Sequence, residues 1–522
     1  METQSIVLKR LYIIWSYLSL TFKDSVLYVI LKKVTHFFRF IFKTSVLLEI
    51  VKKETIVSKV WESSRIYRFI DGVPHALTKT ARNLYEKRRN IFSESRIYKL
   101  ILLAADNIHI LLSLAFIVML ITPHSFWYNI FSALIAFGLL VLFYFKAVAD
   151  KNTNFNFKFI CFYLAVFMLS ILFSQIFSLF PSLSLRFLIF HLTCFVMVFI
   201  LVNCVNTKER LSTVIESLLV GLTFVGLYAI AQFIKGVPVN AAQTDLSVNA
   251  GMPGRVYATM ENPNNLGQVL ILLLPFYIGV VAGSKSFIKR FIVIGMGIPP
   301  LIALALTYSR SSWIGFAVAA FMFVLLINWR YIPLFILAGV AMVPFLPTTV
   351  YNRILTIFTG DSSVSYRFLI YRTIWPVLEK YWFSGTGLGS DVFMKVVQNY
   401  PLHTKVVPPH THNLFIQVWI ETGLIGILSF IGFLGSLIKR GVNAIKPVNA
   451  ANEKSTKGDM YIKYTIISGV ASLVGILVVG LAEYVWYYPR VMVIFWVVIG
   501  LLLTALNLQK SEEIAAKQER AN

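Results

Sequence analysis

Residues 185–234 read LRFLIFHLTCFVMVFILVNCVNTKERLSTVIESLLVGLTFVGLYAIAQFI. Two apolar runs, about 185–203 and 212–234, flank a short polar joint that holds Lys208 and Arg210. Each run is long enough to cross a ~30 Å hydrocarbon core as a helix. In such a core the backbone must satisfy its own polar groups, and a helix does so within one segment. The same pattern extends in both directions. Twelve spans are expected, near 105–122, 129–147, 159–178, 185–203, 212–234, 264–283, 291–308, 312–328, 331–348, 412–437, 464–483 and 490–508. The fold class is therefore all-α and polytopic. Composition agrees: of 522 residues 57% are apolar and 14% charged, against ~25% charged in soluble domains. A soluble enzyme of this size could not hide so much apolar surface, and that class is excluded.

The net charge of +24 raises nucleic acid as a partner, but the basic residues lie between and before the spans. Positive cytoplasmic joints and anionic headgroups explain it, so the expected partner is the bilayer and not nucleic acid. Lys146, Lys151 and Lys158 lie in the second joint, and Lys208 and Arg210 in the fourth. Lys285, Lys289 and Arg290 lie in the sixth, and Arg330 in the eighth. The tenth carries Lys439, Arg440, Lys446, Lys454, Lys457 and Lys463. The first (TPHSFWY) and third (SLFPSLS) have no Lys or Arg. Even joints are thus expected in the cytoplasm, with both termini. Cys161, Cys194 and Cys204 lie in or beside apolar runs and form no disulfide framework or CxxC pattern. No small-residue cleavage site follows the first apolar stretch, so no cleavable signal is expected.

The expected divisions are 1–104, 105–348 with nine spans, a large outer loop 349–411, three spans over 412–508 and a tail 509–522. Residues 1–100 hold nineteen Lys or Arg and eight Asp or Glu among many Ile, Leu, Phe and Tyr. Similar pieces recur: SVLYVI from Ser25, SVLLEI from Ser45, SSRIYRFI at 63–70 and ESRIYKLI at 94–101. Basic residues interrupt the apolar runs too often for good spanning. The reading is a set of amphipathic helices on the inner leaflet, the alternative a helical region packed on the inner span ends.

The spans are nearly free of charge, which is poor material for a proton-coupled pump. Only Glu421 sits well inside one, ~14 Å along the helix from His412 at 1.5 Å per residue, and it reads as a buried structural partner. Glu216 and Glu483 are near span ends. Charge gathers instead on the expected outer side. Arg255 lies in GMPGRVYATMENPNN (251–265), and Arg310 in TYSRSSW (307–313). Arg367 and Arg372 lie in SYRFLIYRTIW (365–375), and His410 and His412 in PPHTHNLF (408–415). Arginine offers a fork of five donors that fits phosphate oxygens. A histidine at a membrane boundary can serve as a general base. The set suits chemistry on a phosphate-linked substrate. Against this, single arginines at span ends commonly snorkel to lipid phosphate, and His412 could simply start a helix that Asn413 caps. His410 and His412 with His403 nearby lack a neighbouring carboxylate, so no metal and no cofactor are expected. GTGLG (385–389) lacks the βαβ context of a nucleotide loop and reads as tight turns. ENPNN (261–265) reads as a helix start.

SRSSWIGF at 309–316, YRFLIYRTIWPVLEKYWFSGTGLGSDVF at 366–393 and HTHNLFIQVWIETGLIGILSF at 410–430 resemble the O-antigen ligase and polysaccharide polymerase superfamily. RVYATMENPNNLGQ at 255–268 resembles that family's upstream element, and the likeness covers about 105–508. The hundred-residue N-terminal extension departs from the simpler members. The resemblance implies a metal-independent, inverting membrane glycosyltransferase at the outer face of the cytoplasmic membrane. Its donor would be a polyprenyl-pyrophosphate-linked glycan, its acceptor a hydroxyl on a glycan or glycolipid. His412 would be the catalytic base and Arg255 the upstream arginine. Arg310 and Arg367 both match recurrent arginine positions. Arg372, His410, Asn264 and Ser309 are candidate substrate contacts, with Tyr257 a weaker one. Two other functions stay open: a flippase or exporter of lipid-linked glycans, and a non-catalytic scaffold of a wall-synthesis complex.

Overall fold

A computed structural model describes residues 54–153, 155–240, 253–359, 362–445 and 459–521. The expectations for SVLYVI, SVLLEI, Lys446, Lys454, Lys457, Gly251 and Met252 lie outside the described residues. The chain divides into two compact units, Met1–Trp61 and Glu62–Asn522. The first is described only through α1 (Glu54–Ser63), which crosses the boundary.

The second unit consists of helices and connecting joints, with no strand among its described residues. It opens with α2 (Arg65–Lys87), α3 (Arg89–Glu94) and α4 (Arg96–Asp106). Then come α5 (Ile108–Ile121), α6 (Ile130–Ala149), α7 (Phe162–Ile176), α8 (Pro181–Cys204) and α9 (Lys208–Lys235). The middle holds α10 (Pro263–Gly283), α11 (Phe287–Leu306), α12 (Arg310–Asn328) and α13 (Ile332–Met342). The large loop contributes α14 (Thr348–Thr359), α15 (Ser362–Tyr381) and α16 (Ser390–Val397). The chain ends with α17 (Leu414–Ile445), α18 (Met460–Val479) and α19 (Pro489–Ala521).

Nine helices among the described residues are long and apolar enough to span a membrane, ten if the bent pair α4–α5 counts as one. The protein is a polytopic all-α membrane protein, and the expected count of twelve is not confirmed. Three expected spans account for the difference. The first is α5, bent 71° from α4. The third is α7, whose 15 residues reach only ~22 Å. The eighth and ninth run together as one apolar stretch, Arg310–Phe345. That stretch doubles back, because Thr349 Oγ1 lies 3.1 Å from Tyr308 Oη. Chain 41 residues apart returns to the same end, turning at Trp329–Tyr331. Residues 509–521 continue α19, and Gln509 Nε2 donates to Ala444 O at 2.8 Å.

The joints sort to two ends. At one end, Arg490 donates to Thr122 O at 2.8 Å and Thr259 O at 3.3 Å. Arg255 donates to Thr307 O at 2.8 Å, Leu179 N to Thr386 O at 3.0 Å, and Arg367 to Glu483 at 2.9 Å. These bonds chain the first, third, fifth, seventh, ninth and eleventh joints. At the other end, Asn156 N donates to Asn203 at 2.7 Å, Lys208 pairs with Asp459, and Lys289 donates to Glu216 at 2.6 Å. Alternation of the apolar runs in sequence is thus matched by alternation in space.

Packing is densest around α10, α18 and α19, whose spanning windows are 78%, 72% and 83% buried. The α11 window and the 310–345 stretch are 22% buried, so they form the rim that faces lipid. Gly226 lets α9 close on the Pro299–Pro300 step of α11, where a Cβ would meet Pro300 N at 2.5 Å. The span expected at 412–437 is broken at Gly423, whose φ of 71° ends a short helix before the main span continues. GTGLG packs against this break: Thr386 N donates to Ile420 O at 2.8 Å and Gly387 N to Glu421 O at 3.3 Å. Glu421 therefore sits beside the large loop and not in the middle of an unbroken span. A Cβ on Gly423 would lie 2.0 Å from Phe383 O. Gly423→Ala is expected to cost about 2–4 kcal/mol through the left-handed backbone and this clash. Gly138→Ala, with nothing within 4 Å of the added carbon, should match or exceed the parent. Thermal midpoints in detergent decide it, and equal midpoints for the two variants would refute the role given to Gly423.

Candidate functional site

Three joints shape the site, and each holds a residue in the left-handed region: Ala258 (φ 48°), Tyr308 (φ 49°) and His412 (φ 51°). They are the non-glycine residues with positive φ among those described. Such backbone costs on the order of 1–3 kcal/mol and persists only where surroundings enforce it. In the joint before α10, Arg255 Nε donates to Thr307 O at 2.8 Å and Nη2 to Asn264 Oδ1 at 2.7 Å. Asn262 caps α10 by accepting from Asn265 N at 3.0 Å, with Pro263 following, which is the helix start expected of ENPNN. At the head of α12, Ser309 precedes Arg310 and accepts from Ser312 Oγ at 2.9 Å.

Before α17, Asn413 Oδ1 accepts from Phe415 N at 2.9 Å and Ile416 N at 3.1 Å, while its Nδ2 donates to Leu481 O at 3.0 Å. Leu414 N donates to Gly480 O at 2.7 Å. One asparagine thus caps the helix and fastens it to the turn that carries Glu483. That turn is where the site converges. Arg367 Nη2 donates to Glu483 Oε1 at 2.9 Å, and Asn264 Nδ2 to the same oxygen at 3.2 Å. His412 Nδ1 faces Glu483 Oε2 at 3.5 Å, and Arg367 Nε donates to Ala482 O at 3.0 Å. Through Asn264 the carboxylate also reaches Arg255.

The electrostatics follow from burial. Burial pushes the Glu483 carboxyl up, but the His412 contact and then the Arg367 charge outweigh it and hold it at about 2. Burial lowers the Arg255 guanidinium to about 10, with Arg353 and Arg310 adding to the fall and Glu483 opposing it. It stays charged at neutral pH. His410 is buried, its Nδ1 accepts from His412 N at 3.1 Å, and its ring lies 4.5 Å from that of Tyr487. Burial, then His412, pushes its imidazole down to about 3, so His410 is neutral and braces the turn.

The structure brings Arg255, Arg367, His410, His412 and Asn264 together, with Arg310 near enough to Arg255 to weaken its charge. It does not bring Arg372, which is exposed on α15 about 140° around the helix from Arg367. Ser309 is buried in its hydrogen-bonded serine group, and Tyr257 is 38% exposed. Sequence reasoning missed three contributors. Arg353, in α14, is buried and donates from Nε to Tyr308 O at 3.4 Å. Glu483 was visible only as a carboxylate at a span end. Arg490, fully buried, donates to Met119 O, Thr122 O and Thr259 O, and its guanidinium lies 5.3 Å from the Trp127 ring centroid. Among the described residues no group of three or more His, Cys, Asp or Glu could hold a metal ion.

The fold and site define a polytopic membrane protein with a polar centre where its odd joints meet. Residues 294–431 match a family model described as O-antigen ligase. An O-antigen ligase of Salmonella typhimurium is 24% identical over 264 residues, 47% of this chain and 61% of that protein. A putative polysaccharide ligase of Rickettsia felis is 22% identical over 189 residues, 33% of this chain and 44% of that protein. The chain thus spans less than two thirds of either relative. These matches support the O-antigen ligase superfamily as the family this chain resembles.

The histidine and the carboxylate fix the pH behaviour of the site. An unfolded histidine takes a proton near 6.5, whereas folded His410 stays neutral down to about 3. Its contribution is full above the first value and falls as pH drops toward the second. Glu483, held at about 2 against 4.5, adds stability that is present above 4.5 and lost as pH falls to 2. Each proton contributes ~1.4 kcal/mol per pH unit within its window. Between pH 6 and 5, thermal stability in detergent should fall more steeply in the parent than in His410→Gln. Identical slopes would show that the buried imidazole is not neutral as described.

Proposed function

We propose that this protein transfers a polyprenyl-pyrophosphate-linked glycan to an acceptor hydroxyl, with its odd joints on the outer face of the cytoplasmic membrane. The observation that carries the reading is the Glu483 centre, which presents a histidine and an arginine on one buried carboxylate. His412 turns Nδ1 toward Glu483, which favours the tautomer with its proton there and leaves the Nε2 lone pair on the far side of the ring. The acceptor oxygen attacks the anomeric carbon as Nε2 takes its proton. The bond from that carbon to the pyrophosphate oxygen breaks, and its electron pair leaves with the lipid pyrophosphate. Attack from the opposite face inverts the anomer. Arg255, Arg353 and Arg367 are fixed by hydrogen bonds before reaction, and together with Arg310 they offset the charge that gathers on the leaving group. The family match and the names of the two relatives support glycan transfer as the reaction class. The basic even joints support the orientation.

A deletion strain complemented with wild type or His412→Ala tests the base. His412→Ala should lower transfer by about 10²–10⁴-fold at unchanged membrane level and thermal midpoint. Full transfer would sink the assignment, and would leave room for an exporter or a scaffold. Sizing the lipid-linked glycans separates two outcomes: single repeats accumulate if a polymerase is lost, long lipid-linked chains if a ligase is lost.

A second comparison sets two arginines of the large loop against each other. Arg353→Gln should reduce transfer by about 10²-fold, as loss of a fixed charge-stabilising donor does. Arg372→Gln, exposed and away from the centre, should stay within about two-fold of wild type. The reverse order would place the anion site on the other face of α15.

A further inference from the structure

The helices before the first span present an apolar face that the bundle does not cover. On α2, Ile66, Phe69, Val73, Leu77 and Leu84 are all exposed, Phe69 at 70% and Leu84 at 63%. At 100° per residue they fall within one stripe about 80° wide. A different face of the same helix is docked. Arg82 Nη2 donates to Ala147 O at 2.5 Å, Tyr144 Oη to Leu77 O at 3.4 Å, and Lys151 pairs with Glu86 at 3.1 Å. Thr78 is buried on the docked side. A third face carries Arg65, Arg68, Lys79 and Asn83, all exposed. The stripe is thus held in place by the docking of its neighbour and stays open.

The same alternation continues on α4. Ile97, Leu100 and Leu103 are 73%, 67% and 62% exposed, with Arg96 and Lys99 exposed among them. At Asn107 the chain bends 71° into α5. If α5 stands near the membrane normal, α4 lies roughly 20° from the membrane plane. Its apolar residues then run on into Ile110, Leu114 and Val118, the exposed apolar face of α5. Water does not suit such a surface, and an apolar stripe bordered by fixed cations matches a lipid boundary with anionic headgroups.

We propose that α2 and α4 form an interfacial platform at the even-joint end of the bundle. Their apolar stripes enter the acyl boundary of that leaflet, and Arg65, Arg68, Lys79, Arg96 and Lys99 bind anionic phospholipid headgroups. The platform is independent of the glycan-transfer reading.

The test uses the full chain carrying Cys161→Ser, since Cys194 and Cys204 are buried. A single cysteine replaces Phe69, Leu77 or Ile97 in one set and Lys79 or Asn83 in the other. Each is labelled with bimane and placed in nanodiscs containing phosphatidylglycerol, with or without brominated acyl chains. Thermal midpoints equal to the parent confirm folding of every labelled protein. Quenching at least about two-fold stronger in the first set is expected, because only an inserted face meets the bromines. Exchange of phosphatidylglycerol for phosphatidylcholine should weaken that quenching. Equal quenching in both sets, or none at Phe69 and Leu77, would overturn the platform and leave a protein partner as the cover for the stripe. Quenching that ignores the headgroup change would overturn the anionic-lipid part.

Discussion

One buried carboxylate orders the polar end of this protein. Glu483 lies in the turn between α18 and α19 and meets Asn264, 219 residues away, Arg367, 116 residues away, and His412. An ionised carboxylate removed from water costs several kcal/mol unless partners replace its hydration. Each partner here is set by a backbone with its own reason for its shape. Asn264 stands in the first turn of the capped helix α10, Arg367 also holds Ala482 O, and His412 is fixed by the Asn413 cap and the buried His410. Removal of the carboxylate would release three partners from two joints at once, and misplacement of either joint would leave it underpaired. That mutual requirement gives the site its rigidity.

Strain fits the same logic. Left-handed backbone at Ala258, Tyr308 and His412 is unfavourable in isolation. Each lies beside a side chain that the converged site uses: Arg255, Arg310 and His412 itself. Thr307 O and Asn264 hold Arg255, and Glu483 and His410 hold His412. Arg490 does this for the first joint and the segment after Arg255, since one guanidinium nitrogen donates to the carbonyls of Met119, Thr122 and Thr259. Gly423 does it for the large loop by opening a gap in α17 that GTGLG fills. Chemistry that depends on charge placed before reaction needs such stiffness more than it needs many residues.

Much of this was legible in the sequence, and the reasons are physical. Long apolar runs identify helices because a bilayer leaves the backbone no other economical form. Alternation of basic joints separates the two ends, and Arg255, Arg367 and His412 stood out as polar residues on the sparser side. Glu483 and Arg490 did not, because a charge at a span end looks the same whether it snorkels to lipid or turns inward. Arg353 was hidden in a loop helix whose packing depends on Tyr308, 45 residues earlier. Arg372 reads as a candidate substrate contact because it shares SYRFLIYRTIW with Arg367, and helical phase parts them. The kink at Gly423 was invisible for the same reason: a glycine in an apolar run carries no mark of its φ.

The division of labour between spans and joints follows from what each environment permits. In the spans, close approach is won by small residues such as Gly226 against Pro300, and ionised groups are scarce because hydrocarbon penalises them. At the odd joints the chain leaves the apolar medium of the spans. Charges buried there, as Arg255 and Glu483 are, interact more strongly than on a soluble surface. A substrate with an apolar tail and a charged, phosphate-linked head has its reactive bond at that same depth. Under the proposed reading, a site assembled from joints would let the tail stay in lipid while the head meets guanidinium groups and a histidine, and the bilayer would supply part of the alignment that a soluble enzyme builds from a cleft.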